Sequence, residues 1–370
     1  MRKHHHKNER IKRKYLSYRE EANHCSTKTT DQIAAALHLF EQSTNFKDFA
    51  AFHVEQAKSF KRKQYDQRNE KTGKPLAKAT VHSRLMHCKA FFRWLSREAG
   101  YKSKVSYSDA DYFNPTANDA RVATAEREKP FPSMEQIGHV VSVMPSDTVI
   151  QRRDRALIAL AILSGVRDDA LASLSLKHID LASRTVDQDS RDVRTKNRKN
   201  MLTNFFPIDG DYEAIVADWL NELRQMHLFG PDDPVFPQNK IGHNAAKEFA
   251  TTGITRKHWS NAGTIRQIFK ASFALAGIPY FNPHSFRKTL AQLGETICTT
   301  PEEFKAWSQN LGHENVLTTF TSYGHVSEHR QAEILKCLAG TNKRNIADPY
   351  ANLLAEMDAL INRSKTRRAT

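Results

Sequence analysis

The segment Phe281-Asn282-Pro283-His284-Ser285-Phe286-Arg287 carries a histidine and an arginine three positions apart. Asn282 reads as a helix N-cap and Pro283 as the first helical residue, which places His284 and Arg287 on one face of the opening turns. A helix start offers unpaired backbone N–H groups and a partial positive charge, so a His and an Arg there form a natural phosphate site. Downstream, Leu311-Gly312-His313 is followed ten residues after the histidine by Tyr323, which stands next to Gly324. Upstream, Leu163-Ser164-Gly165-Val166-Arg167 puts an arginine just past a helix end. Thr195-Lys196-Asn197-Arg198-Lys199 puts basic side chains in a turn between strands. A lone His-x-x-Arg is a common accident of sequence, but four such motifs in this order are hard to obtain by chance.

Taken together, these motifs resemble the tyrosine recombinase family, the phage-integrase type of site-specific DNA recombinase. The resemblance covers nearly the whole chain, with specific motifs from about Ser164 to Gly324 and looser helical similarity from about Asp31 to Gly100. It implies that Arg167, His284, Arg287 and His313 are catalytic and that Tyr323 is the nucleophile. For the lysine in the turn, Lys196 follows the family's Thr-Lys pattern and is favoured. Lys199, at a more usual distance from the closing Phe205-Phe206-Pro207-Ile208 strand, is the alternative. Family members often carry a Glu three residues after the first arginine; here that position is Ala170, with Asp168 and Asp169 beside it.

Elementary chemistry agrees with those roles. A phosphodiester gains negative charge as a nucleophile adds, and the rigid donor forks of Arg167 and Arg287 suit its two non-bridging oxygens, with His313 as a third donor. A tyrosine, with a reference pKa of about 10, needs a proton acceptor, and His284 is of the right type at neutral pH. Lys196 can protonate the departing 5′ oxygen. The resulting tyrosyl phosphate keeps the bond energy of the phosphodiester, so no ATP is needed to reseal it. No Gly-x-x-x-x-Gly-Lys-Ser/Thr loop, His-Glu-x-x-His motif or evident carboxylate cluster is present, and no cofactor or metal is expected. Two other readings share part of the pattern: DNA relaxation by a type IB topoisomerase-like route, and a non-catalytic DNA-binding protein that keeps the fold. The intact set of six residues argues against the second.

The expected fold is mainly α with a small antiparallel β-sheet: a helical N-terminal core-binding domain, then a mixed α+β catalytic domain. Residues 1–28, rich in Lys, Arg and His, read as a basic tail or arm, and the His4-His5-His6 triplet as part of it rather than a metal site. Residues 29–104 read as the helical DNA-binding domain. Ile33, Leu37 and Phe40 share one helix face; Phe46, Phe49, Phe52 and Phe60 line a second helix as core rather than as a base-stacking platform; and Val81, Leu85, Cys88, Phe91, Phe92 and Leu95 line a third, over about 78–98. On the polar sides, Lys58, Lys61, Arg62, Lys63, Arg84, Lys89 and Arg93 are the candidate DNA contacts. Residues 105–132 read as a linker. In the catalytic domain, 133–340, helices are expected over about 133–144, 152–163, 170–174, 211–226, 262–276, 283–296, 301–310, 314–322 and 326–338. Strands are expected at 184–186, 192–195 and 202–208, with only helices and loops after Asp211. Residues 341–370 read as a C-terminal helix and basic tail, opened by Asp348-Pro349. The apolar stripe Leu353, Leu354, Met357, Leu360 and Ile361 either packs on its own domain or docks on a neighbouring protomer.

Charge points the same way. The chain carries a formal charge of +15, and residues 1–130 hold 27 Lys and Arg against 15 Asp and Glu, so most of the excess lies in the first third. That favours a polyanionic partner. The expected partner is duplex DNA with specific recombination sites, not a membrane. The resemblance implies a clamp around DNA, a homo-tetramer on two synapsed sites formed from a protein monomeric in solution, strand exchange through a Holliday junction, and accessory factors that bend DNA or set direction. Four scattered cysteines (Cys25, Cys88, Cys298, Cys337) form neither a disulfide framework nor a zinc ribbon. With no apolar run for a signal or a membrane span, a bacterial cytoplasmic, nucleoid-associated location is expected.

Overall fold

The computed structural model describes residues 4–70, 72–125, 130–243 and 248–313. The chain divides into two units, Met1–Arg127 and Glu128–Thr370. Among the described residues of the first, α1 (His6–Glu21), α2 (Thr27–Ser43), α3 (Val54–Asp66) and α4 (Lys78–Leu95) bury side chains in one aromatic core, and α5 (Ala117–Thr124) follows them. The two stripes expected on α2 and α4 are buried throughout. Phe52 stacks on Phe92 at 3.9 Å, and Phe40 meets the same ring edge-on at 5.0 Å. Deleting a ring from such a cluster costs about 3–5 kcal/mol, which is why so small a unit can hold together.

Three expectations for this unit fail, each for a physical reason. Residues 6–21 are helix, not a tail. Ile11 and Tyr15, one turn apart, are buried, while Asn8 donates to Glu41 at 3.0 Å and Lys12 pairs with Glu41 at 2.5 Å. A buried charge network therefore fastens α1 to α2 where composition alone reads solvated chain. Residues 105–125 are not a bare linker, because Val105, Ala110 and Phe113 sink into the core and a 3-10 turn spans Ser108–Phe113. The four phenylalanines of the second stripe do not share one helix either. Asn45 and Phe46 adopt left-handed conformations after α2, Phe49 opens a 3-10 turn capped by Asp48, and α3 starts only at Val54.

The second unit is built around α7 (Val149–Ser164), every residue of which is buried from Ala156 to Ser164. It follows α6 (Met134–Val143) and precedes the short α8 (Asp168–Leu171). Next comes an antiparallel sheet in the order β1 (Ile179–Asp180), β2 (Thr185–Gln188), β3 (Met201–Asn204), with Gln188 opposite Met201. α9 (Tyr212–Gln225), α10 (Gly263–Leu275), α11 (Pro283–Ile297) and α12 (Pro301–Asn310) complete the described part of the unit, together with a second hairpin, β4 (Asn239–His243) and β5 (Phe249–Ile254).

The expected strand at 192–195 does not form. Val193 N–H bonds back to Asp189 at 2.8 Å and Arg194 N–H goes to the Ser173 hydroxyl at 2.9 Å, so this backbone is satisfied without a ladder. The third strand stops at Asn204 rather than 208, because Phe206 N–H bonds to Leu163 at the end of α7. The β4–β5 hairpin replaces the loops expected after Asp211. Its residues are mostly exposed on both faces, so it carries no alternating apolar signal. The helices expected at 314–322 and 326–338, and the C-terminal helix expected to open at Asp348-Pro349, lie outside the described residues. Among the described residues no helix is long and apolar enough to cross a membrane.

Candidate active site

The site forms where α7 ends. Gly165 stops this helix in a left-handed conformation (φ 62°), and a Cβ there would stand 3.0 Å from Leu290 and 3.1 Å from Leu311. Glycine thus lets α7, α11 and the end of α12 meet closely. Its carbonyl accepts from Arg287 Nη1 at 2.5 Å, and Arg287 Nη2 donates to the Leu311 carbonyl. The same nitrogen lies 3.4 Å from His313 Nε2. Arg287 is buried, and its Nε has no hydrogen-bond partner among the described residues. Burial first, then the charge of Arg167, pushes its pKa down to about 9, which still leaves a cation at neutral pH.

Arg167 is the residue before α8 and is half-buried, and its guanidinium has no hydrogen-bond or ion-pair partner among the described residues. The neighbouring acids do not neutralise it. Asp168 pairs with Arg266 at 2.8 Å and Asp169 with Arg194 at 3.1 Å. Both carboxylates beside Arg167 are thereby drawn toward other arginines, and Arg194 stands two residues before Lys196. Neither contact was legible in the sequence, although the two acids beside the position of the missing Glu were a visible signal.

His284 lies in the first turn of α11, where Pro283 takes its expected place. Asn282 stands at the N-cap, but its side chain makes no capping bond; its carbonyl instead accepts from the Ser285 hydroxyl at 2.6 Å. His284 is exposed by area, yet partial burial and then the charges of Arg287 and Arg167 lower its pKa. His313, just past α12, is half-buried, and its N–H bonds to Ser308 at 3.2 Å. Burial, followed by the charges of Arg287, Arg167, His284 and Lys196, pushes it down to about 4. Gly312, with φ 70°, lets the chain turn there, and a Cβ on it would collide with Met201 Sδ of β3.

The turn carrying Lys196 is a 3-10 segment, Lys196–Arg198, with Asn197 and Arg198 left-handed. Lys196 and Lys199 are both exposed, and the charge of Lys196 reaches His313. Of the six residues picked from the sequence, Arg167, Lys196, His284, Arg287 and His313 are therefore brought together, and Tyr323 lies outside the described residues. Cations and imidazoles of lowered pKa meet here, and the near carboxylates are already paired. Such a place favours a bound phosphate.

The imidazoles give a proton-linkage prediction. A phosphate between the arginines favours the imidazolium, so the bound pKa of His313 lies above its free value of about 4 and binding takes up protons. Affinity for DNA should then rise as pH falls from about 7 toward about 5. Calorimetric binding heats in buffers of different ionisation enthalpy read the uptake directly, and His313→Asn should reduce it. Heats independent of buffer would contradict this.

In the first unit the candidate DNA contacts are mostly engaged within the chain. Lys58 pairs with Glu55 at 2.8 Å, Lys89 and Arg93 both pair with Asp111, and Arg84 bonds Gln64 and Gln67. Lys61 donates to the Asn114 carbonyl at 2.9 Å and Lys63 to that of Ser43 at 3.4 Å. Arg62 is exposed and makes no hydrogen bond or ion pair among the described residues. Surface pairs of this kind exchange readily for phosphates.

Arginines, histidines and a turn lysine thus converge beside a small antiparallel sheet within a helical unit. Residues 133–330 match the model of the phage integrase family. The chain is 25% identical over 264 residues, 71% of its own length and 77% of the other's, to tyrosine recombinase XerC of Lactobacillus leichmannii. In fold it is similar to the Tn1549 transposon integrase in complex with transposon right end DNA (TM-score 0.55, 14% identity, 89% of this chain and 98% of that one). It is likewise similar to a lambda integrase dimer bound to a COC′ core site (TM-score 0.55, 11% identity, 86% and 97%). The chain belongs to the phage integrase family, the tyrosine-type site-specific DNA recombinases.

Proposed function

We propose that this protein cuts and rejoins duplex DNA at two specific sites through a covalent 3′-phosphotyrosine bond to Tyr323, and that strands exchange by way of a Holliday junction. The observation that carries this is the meeting of Arg167, His284, Arg287 and His313 at the end of α7, with the Lys196 turn beside them and both near acids paired elsewhere. Arg167 and Arg287 bind the non-bridging oxygens, and His313 adds a donor as charge develops. His284, whose lowered pKa keeps it neutral at pH 7, accepts the Tyr323 proton. Lys196 protonates the departing 5′ oxygen, which later attacks the tyrosyl phosphate when the step reverses. The basic first unit, with Arg62 the most available of its candidate contacts, binds the duplex beside the site, and the assembled species is a tetramer on DNA.

A nicked suicide substrate tests the core of this reading. Its cleaved end diffuses away, so the adduct accumulates and its tyrosine can be mapped by peptide mass. Adduct on Tyr323, together with product only when two partner sites are supplied, is the expected result. Relaxation of supercoiled DNA with no second site would point to topoisomerase chemistry instead, and DNA binding without adduct to a binder that keeps the fold.

A further inference from the structure

We infer that Asn310, the last residue of α12, is a positioning residue for the Lys196 turn: it holds the end of β3 and so sets where that turn stands relative to His313. Asn310 Oδ1 accepts the Asn204 N–H at 2.7 Å, and Asn310 Nδ2 donates to the Asn204 carbonyl at 2.9 Å. A carboxamide carries an acceptor and a donor side by side. Here it meets both backbone groups of one residue on the edge strand of the sheet, much as a neighbouring strand would. Leu311, the residue after Asn310, offers its carbonyl to Arg287, and Gly312-His313 follow. At the other end of β3, Met201 lies against Gly312. Strand β3 is thus held at both ends to the segment that carries His313.

The opposite foot of the turn is held as well. Arg194 is tied to Asp169 at 3.1 Å and to the Trp259 carbonyl at 2.9 Å. Between the two feet, residues 196–200 are exposed and include two left-handed residues. A short exposed turn takes its position from its ends, and its second end runs into β3 at Met201; by fixing the far end of that strand, the Asn204–Asn310 clamp sets through β3 how far Lys196 stands from the phosphate held by Arg287 and His313. A displacement of about 1 Å at such a place costs up to about a hundredfold in rate. The inference rests on Lys196 acting as the proton donor, and its test separates the two claims.

Full-length Asn310→Ala, Asn310→Asp and Lys196→Ala are compared with the parent in single-turnover cleavage of ordinary DNA and of DNA with a 5′-bridging phosphorothiolate, whose sulfur leaves without a proton. Asn310→Ala should cleave ordinary DNA about 10- to 100-fold more slowly, with DNA affinity and thermal midpoint near the parent's. Asn310→Asp, which keeps the acceptor and loses the donor, should fall between them. The phosphorothiolate should bring both, and Lys196→Ala, back to within a few-fold of the parent. Equal losses on the two substrates, no loss at all, or a lowered thermal midpoint with unrescued cleavage in both Asn310 variants would overturn the inference. Rescue of Lys196→Ala without rescue of the Asn310 variants overturns it alone, whereas failure of Lys196→Ala to be rescued while Lys199→Ala is rescued overturns the lysine assignment.

Discussion

Tyr323→Phe should bind DNA as the parent does and lose strand cleavage by about 10⁴-fold or more, since the change removes only the oxygen that attacks. Gel-shift affinity and adduct yield on the suicide substrate, measured on the same preparation, separate the two effects. Adduct that persists in this variant would place the nucleophile elsewhere. By residue type the rival is Tyr280, which is exposed and stands near the Arg266–Asp168 pair. Its hydroxyl pKa is raised, by burial first, which makes it a worse nucleophile at neutral pH than an ordinary tyrosine. A covalent bond mapped to Tyr280 in the parent would sink the assignment.

Arg287→Lys should lower the cleavage rate by about 10²- to 10³-fold while changing DNA affinity by less than about tenfold. The reason lies in its geometry. The guanidinium ties the Gly165 carbonyl and the Leu311 carbonyl together, sets Nη2 3.4 Å from His313 Nε2, and leaves Nε without a hydrogen-bond partner among the described residues. A lysine keeps the charge but cannot hold two carbonyls and an oxyanion in fixed directions. Arg287→Ala goes further, because it strips two buried carbonyls of their donor, at about 1–3 kcal/mol each. A fall in thermal midpoint should therefore accompany Arg287→Ala and be smaller in Arg287→Lys. Parallel losses of affinity and rate in Arg287→Lys would mean that the residue serves ground-state binding instead of the transition state.

The contrast between what could be read early and what could not follows the range of the forces involved. Helices with a long one-sided stripe, such as α4 and α11, were legible to within a few residues, because their periodicity is local and burial of that stripe is what stabilises them. α1 was not, since its stability comes from two apolar residues and from the Asn8–Lys12–Glu41 network, whose members are far apart in sequence. The β4–β5 hairpin was invisible for the opposite reason, having almost no buried face to leave a pattern.

The amino-acid sequence by itself determined the family, the helical character of the chain, the concentration of positive charge in its first third, and the residue types at the site, because each of these is written in spacing and chemistry along one stretch at a time. Only the tertiary structure decided which charges remain available. It turned Asp168 and Asp169 away to Arg266 and Arg194, buried Arg287 between two carbonyls, depressed the pKa of both histidines, and tied the end of β3 to α12 through Asn204 and Asn310. Pairing and burial depend on which distant segments meet, and the free energy of a charge depends on both. The electrostatic setting of Arg167, Lys196, His284, Arg287 and His313 is therefore decided only where α7, α11 and α12 come together.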